Sequence, residues 1–348
     1  MLEKLVRKNI LNLKPYRSAR DSFTEGILLD ANENSYGSVL NPGSKLQLNR
    51  YPDPLQTDVR EKLSAVLGVE KEKLFIGVGS DEIIDLLIRI FCDPGKDSVL
   101  ITQPTYGMYK VACDINNVKV LTVPLKKNFQ LNVEQILDKV TQNTKIIFLC
   151  SPNNPTGNLL NKEDVLNLLD EFNGIVIIDE AYIDFSINGS FISEINNFKN
   201  LVIIRTFSKA WGLAGIRAGY SIADEFITDL LFKIKAPYNL NKLTGQAIIE
   251  AIEKIETKNK LVKKIIIERE KLIAQLKRIK HISKVIPSQT NFVLFRVENA
   301  TEVYKELVSS GIIIRNRSNL KGLKNYLRVT VGTPEENNKF LTKLKEIL

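Results

Sequence analysis

The chain has 348 residues, 44% hydrophobic and 26% charged, the balance of a globular protein with a length suited to roughly two lobes. Lysine and arginine exceed aspartate and glutamate by 49 to 40, yet the excess is dispersed, with no basic block or arginine-rich arm, which argues against a nucleic-acid binder. The single histidine, His281, excludes His-rich zinc sites and argues against a Ser-His-Asp triad, while three cysteines without metal or redox spacing fit a reduced, cytoplasmic setting.

The first residues, MLEKLVRKNILNLKPY, lack the apolar centre of a signal peptide, and no apolar run approaches membrane-spanning length. A soluble, cytoplasmic protein with no membrane partner is expected. Residues 1–45 read as an arm belonging with the small lobe: a short helical start, then the turn-rich LKPYRSAR and LDANENSYGS. RYPDP is irregular because its two prolines disfavour regular structure. Helical periodicity follows from Thr57 to Leu67.

LFIGVGSDEIIDLLIRIF reads as a strand, a glycine turn and a helix from about Asp81, with Ser80 as the N-cap. Free N–H groups at a helix start suit a phosphate. GVGSDE is not a dinucleotide fingerprint, since Glu82 stands where the last glycine belongs, and no Walker GK[ST] sequence occurs. Asp81 and Glu82 would repel a phosphate, so the backbone of Gly79, Ser80 and Asp81 is expected to hold it, not the carboxylates.

Three apolar runs follow: SVLITQPTYGMY, a strand and then a loop carrying Tyr106; KIIFLCSPNNPTG, a strand entering a proline-fixed loop with Asn154; and GIVIIDEAYIDF, ending in Asp179, Glu180 and Tyr182. A fourth, LVIIRTFSKAWGLAGIRAGY, passes from a β-branched run into Thr206, Ser208 and Lys209, and then into glycines around Arg217. Runs buried on both faces and spaced as βαβ units predict an α/β fold with a mostly parallel sheet. Right-handed crossovers put their carboxyl ends on one rim, where open sheets bind ligands. From Asn241 to Lys280 the chain reads as one long charged helix linking the lobes. The remainder alternates NFVLF, IIIRN and YLRVTV with helices at 301–309 and 334–347, a small α+β lobe bearing Arg315 and Arg328. The domains expected are the arm, a large domain over 46–240, and a linking helix with a small domain over 241–348.

One rim then offers a lysine, an aspartate, an asparagine, tyrosines and a phosphate-suited helix start, the set that pyridoxal 5'-phosphate requires. Lys209 is placed to carry the cofactor and move protons, and Asp179 to keep the pyridine nitrogen protonated. Asn154 and Tyr182 suit the ring hydroxyl, and Tyr106 suits stacking on the ring. Gly79, Ser80, Asp81, Thr206, Ser208 and Arg217 surround the phosphate position, Arg217 by charge and bidentate geometry.

SPNNPTG, DEAYIDF and TFSKAWGLAGIRAGY resemble three successive motifs of fold-type I aminotransferases. LKPYRSAR, LDANEN, RYPDP, GVGSDE and YLRVTVGT narrow the resemblance to the histidinol-phosphate aminotransferase family, over nearly the whole chain. The resemblance implies transamination between L-histidinol phosphate and 2-oxoglutarate, with Lys209 binding the cofactor and Asp179 facing its ring nitrogen. It implies a homodimer with shared sites, in which Tyr51 reaches the cofactor phosphate of the neighbouring subunit. It further implies that Arg328 binds the carboxylate of glutamate, that Arg315 assists with the substrate phosphate, and that Tyr16 and Asn32 close the site from the arm. Aromatic amino-acid aminotransferases and threonine-phosphate decarboxylases share these lobes and are the alternatives.

Overall fold

The structure is a computed structural model that describes residues 2–21, 23, 25–40 and 46–348. Its centre is a seven-stranded sheet built from β1 (Leu74–Gly77), β2 (Ser98–Gln103), β3 (Lys119–Pro124), β4 (Thr144–Cys150), β5 (Ile175–Asp179), β6 (Leu201–Thr206) and β7 (Gly219–Ala223), in the order β1-β7-β6-β5-β4-β2-β3. Strands β3, β2, β4, β5 and β6 are mutually parallel, whereas β7 runs antiparallel to both β6 and β1. Every residue of β5 is buried, as befits a strand covered by helices on both faces.

The apolar runs became strands where expected, and the helix Thr57–Leu67 has the predicted bounds. Three details differ. The wide interval between β2 and β4 holds β3, an edge strand with only one buried residue. The helix after β1 is Gly79–Phe91, starting two residues before Asp81, and its N-cap is Val78, without a side-chain cap. Glu82 compensates by folding back to accept from Val78 N–H at 2.6 Å. The expected single helix over 241–280 is two, Lys242–Glu253 and Ile255–Lys277, broken at Lys254.

The second sheet holds β8 (Ile282–Val285), β9 (Phe292–Val297), β10 (Arg315–Asn316) and β11 (Tyr326–Thr330), antiparallel in the order β10-β11-β9-β8. Its inner face packs with the Ile255–Lys277, Ala300–Ser309 and Pro334–Ile347 helices around Leu276, Phe295, Leu327 and Phe340. The arm does not begin on this lobe. Leu2, Val6 and Ile10 are buried in the core of the large sheet, and Arg7 pairs with Asp93 at 3.0 Å. Among the described residues no helix is long and apolar enough to cross a membrane.

Candidate active site

The rim where β4, β5 and β6 end carries a cavity lined by Ser80, Asp81, Tyr106, Cys150, Asn154, Asp179, Ala181, Tyr182, Thr206, Ser208, Lys209 and Arg217. Asp179 is the last residue of β5, in register with Cys150 of β4 and Ile204 of β6. Lys209 follows the end of β6 on the loop that returns as β7. That loop is closed at its base by the Thr206–Gly219 pair and by Phe207 N–H donating to Ala218 C=O at 3.0 Å. One antiparallel turn thus places Lys209 and Arg217 over the end of β5.

Asp179 is buried, with 3% of its surface exposed, and among the described residues it forms no salt bridge. It accepts from the Tyr109 hydroxyl at 2.6 Å and from Ala181 N–H at 3.0 Å. Burial raises its pKa, and these two donors counter that only in part. A buried carboxylate without a positive partner is costly unless a charged or donating group completes it. A protonated ring nitrogen is such a group.

Lys209 opens onto the same cavity, its Nζ 5.7 Å from the centre of the Tyr182 ring. Lost solvation lowers its pKa, and Arg328 and then Arg217 add to this against the opposing pull of Asp179. The amine is therefore neutral at lower pH than that of an ordinary lysine. Asn154 Nδ2 lies 3.5 Å from the Tyr182 hydroxyl, and Tyr182 packs edge-on against Phe292 at 5.2 Å. The Tyr182 hydroxyl titrates well above the ordinary range because it is buried.

At the other end of the cavity the Gly79–Phe91 helix presents its free N–H groups, and two glycines permit the approach. Gly79 has φ +75°, and a Cβ there would stand 2.7 Å from an Arg217 guanidinium nitrogen. A Cβ on Gly219 would stand 2.5 Å from Ser80 N. Arg217 lies beside the helix start, 3.4 Å from Asp81 Oδ2 and half exposed. Glu82 turns its carboxylate away toward Val78 N–H and Asn239, whereas Asp81 keeps its carboxylate in the cavity wall, 3.3 Å from the Tyr106 hydroxyl. Ser208 N–H donates to Thr206 Oγ1 at 3.1 Å, fixing the loop beside this end. The arrangement fits a phosphate at the helix start.

Arg328 reaches in from β11, donating to Asn154 Oδ1 at 2.5 Å with its guanidinium 4.8 Å over the Phe292 ring. Arg315 is its cross-strand partner on β10. Tyr16, Asn32 and Tyr51 are not brought to Lys209 within one chain. Tyr51 stacks on Tyr238 at 4.4 Å and shares a separate cavity with Asn32, Glu33 and Lys242. Tyr16 is 76% exposed, beside Asp229 and Lys235.

Tyr109 escaped the sequence reading. It is fully buried and stacked on Phe148 at 4.7 Å, and its hydroxyl holds the Asp179 carboxylate at the cavity wall. Its signal was a second tyrosine three residues after Tyr106, at the start of the Met108–Ile115 helix and in edge contact with Tyr106 at 5.5 Å.

A parallel sheet with this rim, a lysine facing a buried carboxylate, and a glycine-lined helix start define an aminotransferase site. The chain belongs to the class I and II aminotransferase family, whose family model matches residues 24–344. A histidinol-phosphate aminotransferase of Cytophaga hutchinsonii is 48% identical over 346 residues, 99% of this chain and 98% of that one. Within the class, the chain therefore falls among the histidinol-phosphate aminotransferases. The crystal structure of the histidinol-phosphate aminotransferase from Clostridium acetobutylicum covers 90% of this chain and 98% of its own, at 29% identity and a TM-score of 0.80. That of the Sinorhizobium meliloti enzyme in complex with pyridoxal-5'-phosphate, at 22% identity, shares the fold with a TM-score of 0.77 over 90% of this chain and 89% of its own.

Proposed function

We propose that this protein is a pyridoxal phosphate-dependent transaminase of histidine biosynthesis, exchanging an amino group between L-histidinol phosphate and 2-oxoglutarate to give imidazole acetol phosphate and L-glutamate. The observation that carries the reading is Asp179, a buried carboxylate without a salt bridge among the described residues, facing a cavity that also holds a lysine of lowered pKa. Full-length likeness to the Cytophaga hutchinsonii relative supports the substrate.

Bound at this rim, the cofactor supplies an electron sink. Asp179 keeps the ring nitrogen protonated, and Tyr109 and Ala181 N–H hold that carboxylate in place. Gly79, Ser80 and Asp81 N–H groups, Thr206, Ser208 and Arg217 hold the phosphate. Asn154 and Tyr182 hold the ring hydroxyl, and Tyr106 covers the ring. Lys209 Nζ would bind the cofactor, and its amine is the group that would move a proton to and from the substrate α-carbon. Burial and the neighbouring arginines lower its pKa, which favours the neutral amine that a base requires. Arg328 binds the carboxylate of glutamate, and Arg315 assists with the substrate phosphate.

The working molecule on this reading is a homodimer. Tyr51 lies on its partner's side of a shared interface and reaches the partner's cofactor phosphate, while Tyr16 and Asn32 close the partner's site. The described arm supports this with exposed Leu29, Tyr36, Val39 and Leu40, an apolar surface of the kind that marks an interface.

The test is the visible absorption of the cofactor-loaded protein during titration with L-histidinol phosphate and, separately, with L-phenylalanine. Histidinol phosphate should bleach the band and 2-oxoglutarate restore it. A response confined to phenylalanine, or carbon dioxide released from threonine phosphate, would replace the substrate. No band after adding pyridoxal phosphate would sink the cofactor.

A further inference from the structure

The small sheet turns more positive charge toward the cleft than a single carboxylate needs. Arg315 and Arg328 are cross-strand partners, and the ladder continues where Arg317 N–H donates to Tyr326 C=O at 2.9 Å. Opposed residues of an antiparallel pair share a face, and alternate residues return to it. Arg315, Arg317 and Arg328 therefore leave one face, while Leu327 enters the lobe's core on the other. Among the described residues none of the three arginines pairs with a carboxylate. Arg317 Nε and Arg328 Nε are both enclosed without an acceptor, as is Ser318 Oγ.

Enclosed donors left unpaired are costly, and three neighbouring guanidinium groups repel one another. Burial and then its arginine neighbours depress the Arg328 pKa to about 10 and hold that of Arg317 below the ordinary value. A neutral ligand would relieve the hydrogen bonding but not the repulsion. A singly charged carboxylate is matched by one bidentate arginine, Arg328. A phosphate monoester carries about −1.5 to −2 charge and three acceptor oxygens, which matches the set.

We propose that Arg317 is a substrate-binding residue that joins Arg315 and Arg328 in a receptor for a doubly charged oxyanion, and so sets the preference for a phosphorylated substrate over one ending in a neutral ring. This inference rests on the transaminase reading above. Arg315 is exposed, whereas Arg317 is half-buried with its Nε enclosed, so Arg317 supplies the receptor with a shielded donor that Arg315 does not.

Arg317→Gln and Arg317→Lys holoenzymes should be compared with the parent for kcat/KM on L-histidinol phosphate and on L-glutamate, and for inhibition by inorganic phosphate. Arg317→Gln should lower kcat/KM for histidinol phosphate about 100-fold, chiefly through KM, as expected for a charge-assisted hydrogen bond. The ratio of that value to the value for glutamate should fall at least about tenfold, and half-inhibition should need about tenfold more phosphate. Arg317→Lys, which keeps the charge and loses the fork, should fall between. An unchanged ratio together with unchanged phosphate inhibition overturns the proposal. Should Arg317→Gln fail to fold, the ratio in Arg317→Lys decides in the same way. If the parent itself does not use histidinol phosphate, the substrate reading has failed, and the phosphate inhibition still decides whether Arg317 receives an oxyanion.

Discussion

Two cavities of this molecule are built in opposite ways. At the sheet rim, side chains from β4, β5, the β6–β7 loop and the Gly79–Phe91 helix converge within one chain, and the central carboxylate is sealed from water. Around Tyr51 the elements are irregular, and the ordering is done by one ionic knot. Glu33, almost wholly buried, accepts from Tyr51 N–H at 2.7 Å and pairs with Arg50 at 2.8 Å and Arg20 at 3.2 Å. Burial alone would raise the Glu33 pKa, but these partners hold it below the usual range. The knot fixes the arm's backbone and leaves Tyr51, Tyr16 and Leu243 facing outward. The first cavity gathers its lining from one chain. The second faces outward, and in the homodimer proposed above its residues would serve the site of the other copy.

The largest effect belongs to the cavity at the sheet rim. Lys209→Ala should cut transamination by roughly 10,000-fold or more, since it removes the base proposed to move the proton. Folding should be little changed, because Lys209 opens onto the cavity and packs no core. Turnover within tenfold of the parent would show that the rim is not where the chemistry occurs.

A smaller effect tests how the two sheets cooperate across that cavity. Arg328 is the neighbouring charge that acts most strongly on the Lys209 ammonium, second only to burial. Arg328→Met removes a positive charge, so the ammonium is less disfavoured and its pKa rises. Labelling of Lys209 in the apoprotein by an amine-directed reagent should therefore shift to higher pH. A shift to lower pH, or none, would mean that Arg328 is too far from the lysine to matter.

The same contrast governs what could be read from sequence. β2, β4, β5 and β6 announce themselves because burial on both faces demands unbroken apolar runs, and a polar residue ending such a run is conspicuous: hence Asp179 and Lys209. β3 is an edge strand whose residues are mostly in contact with water, so KVLTVP carries no such run. β7 starts inside a glycine-rich stretch that reads as loop until its pairing with β1 and β6 is known. No proline or glycine stands near the break at Lys254, in IIEAIEKIETK, so local propensity gives no stop. Tyr109 carries no mark in the sequence because its hydrogen bond is made to Asp179, 70 positions away. The Glu33 knot is wholly tertiary, joining the arm to the RYPDP stretch, both of which read locally only as turn and coil.

The cavity around Tyr51 makes the finest prediction. Tyr51→Phe removes one hydroxyl and should weaken retention of pyridoxal phosphate by about tenfold, the worth of one hydrogen bond to a charged group. That loss alone does not say which subunit's cofactor the hydroxyl serves, but hybrid dimers do. In a dimer of one Lys209→Ala chain and one Tyr51→Phe chain, sharing across the interface yields one site with Lys209 and a tyrosine donated by the lysine-deficient chain. That site should retain cofactor as the parent does. If Tyr51 served its own chain, the only site keeping Lys209 would also carry phenylalanine, and the hybrid would lose cofactor as readily as the Tyr51→Phe homodimer. Recovery in the hybrid therefore assigns the exposed tyrosine to a partner, and its absence returns Tyr51 to the surface of a self-sufficient chain.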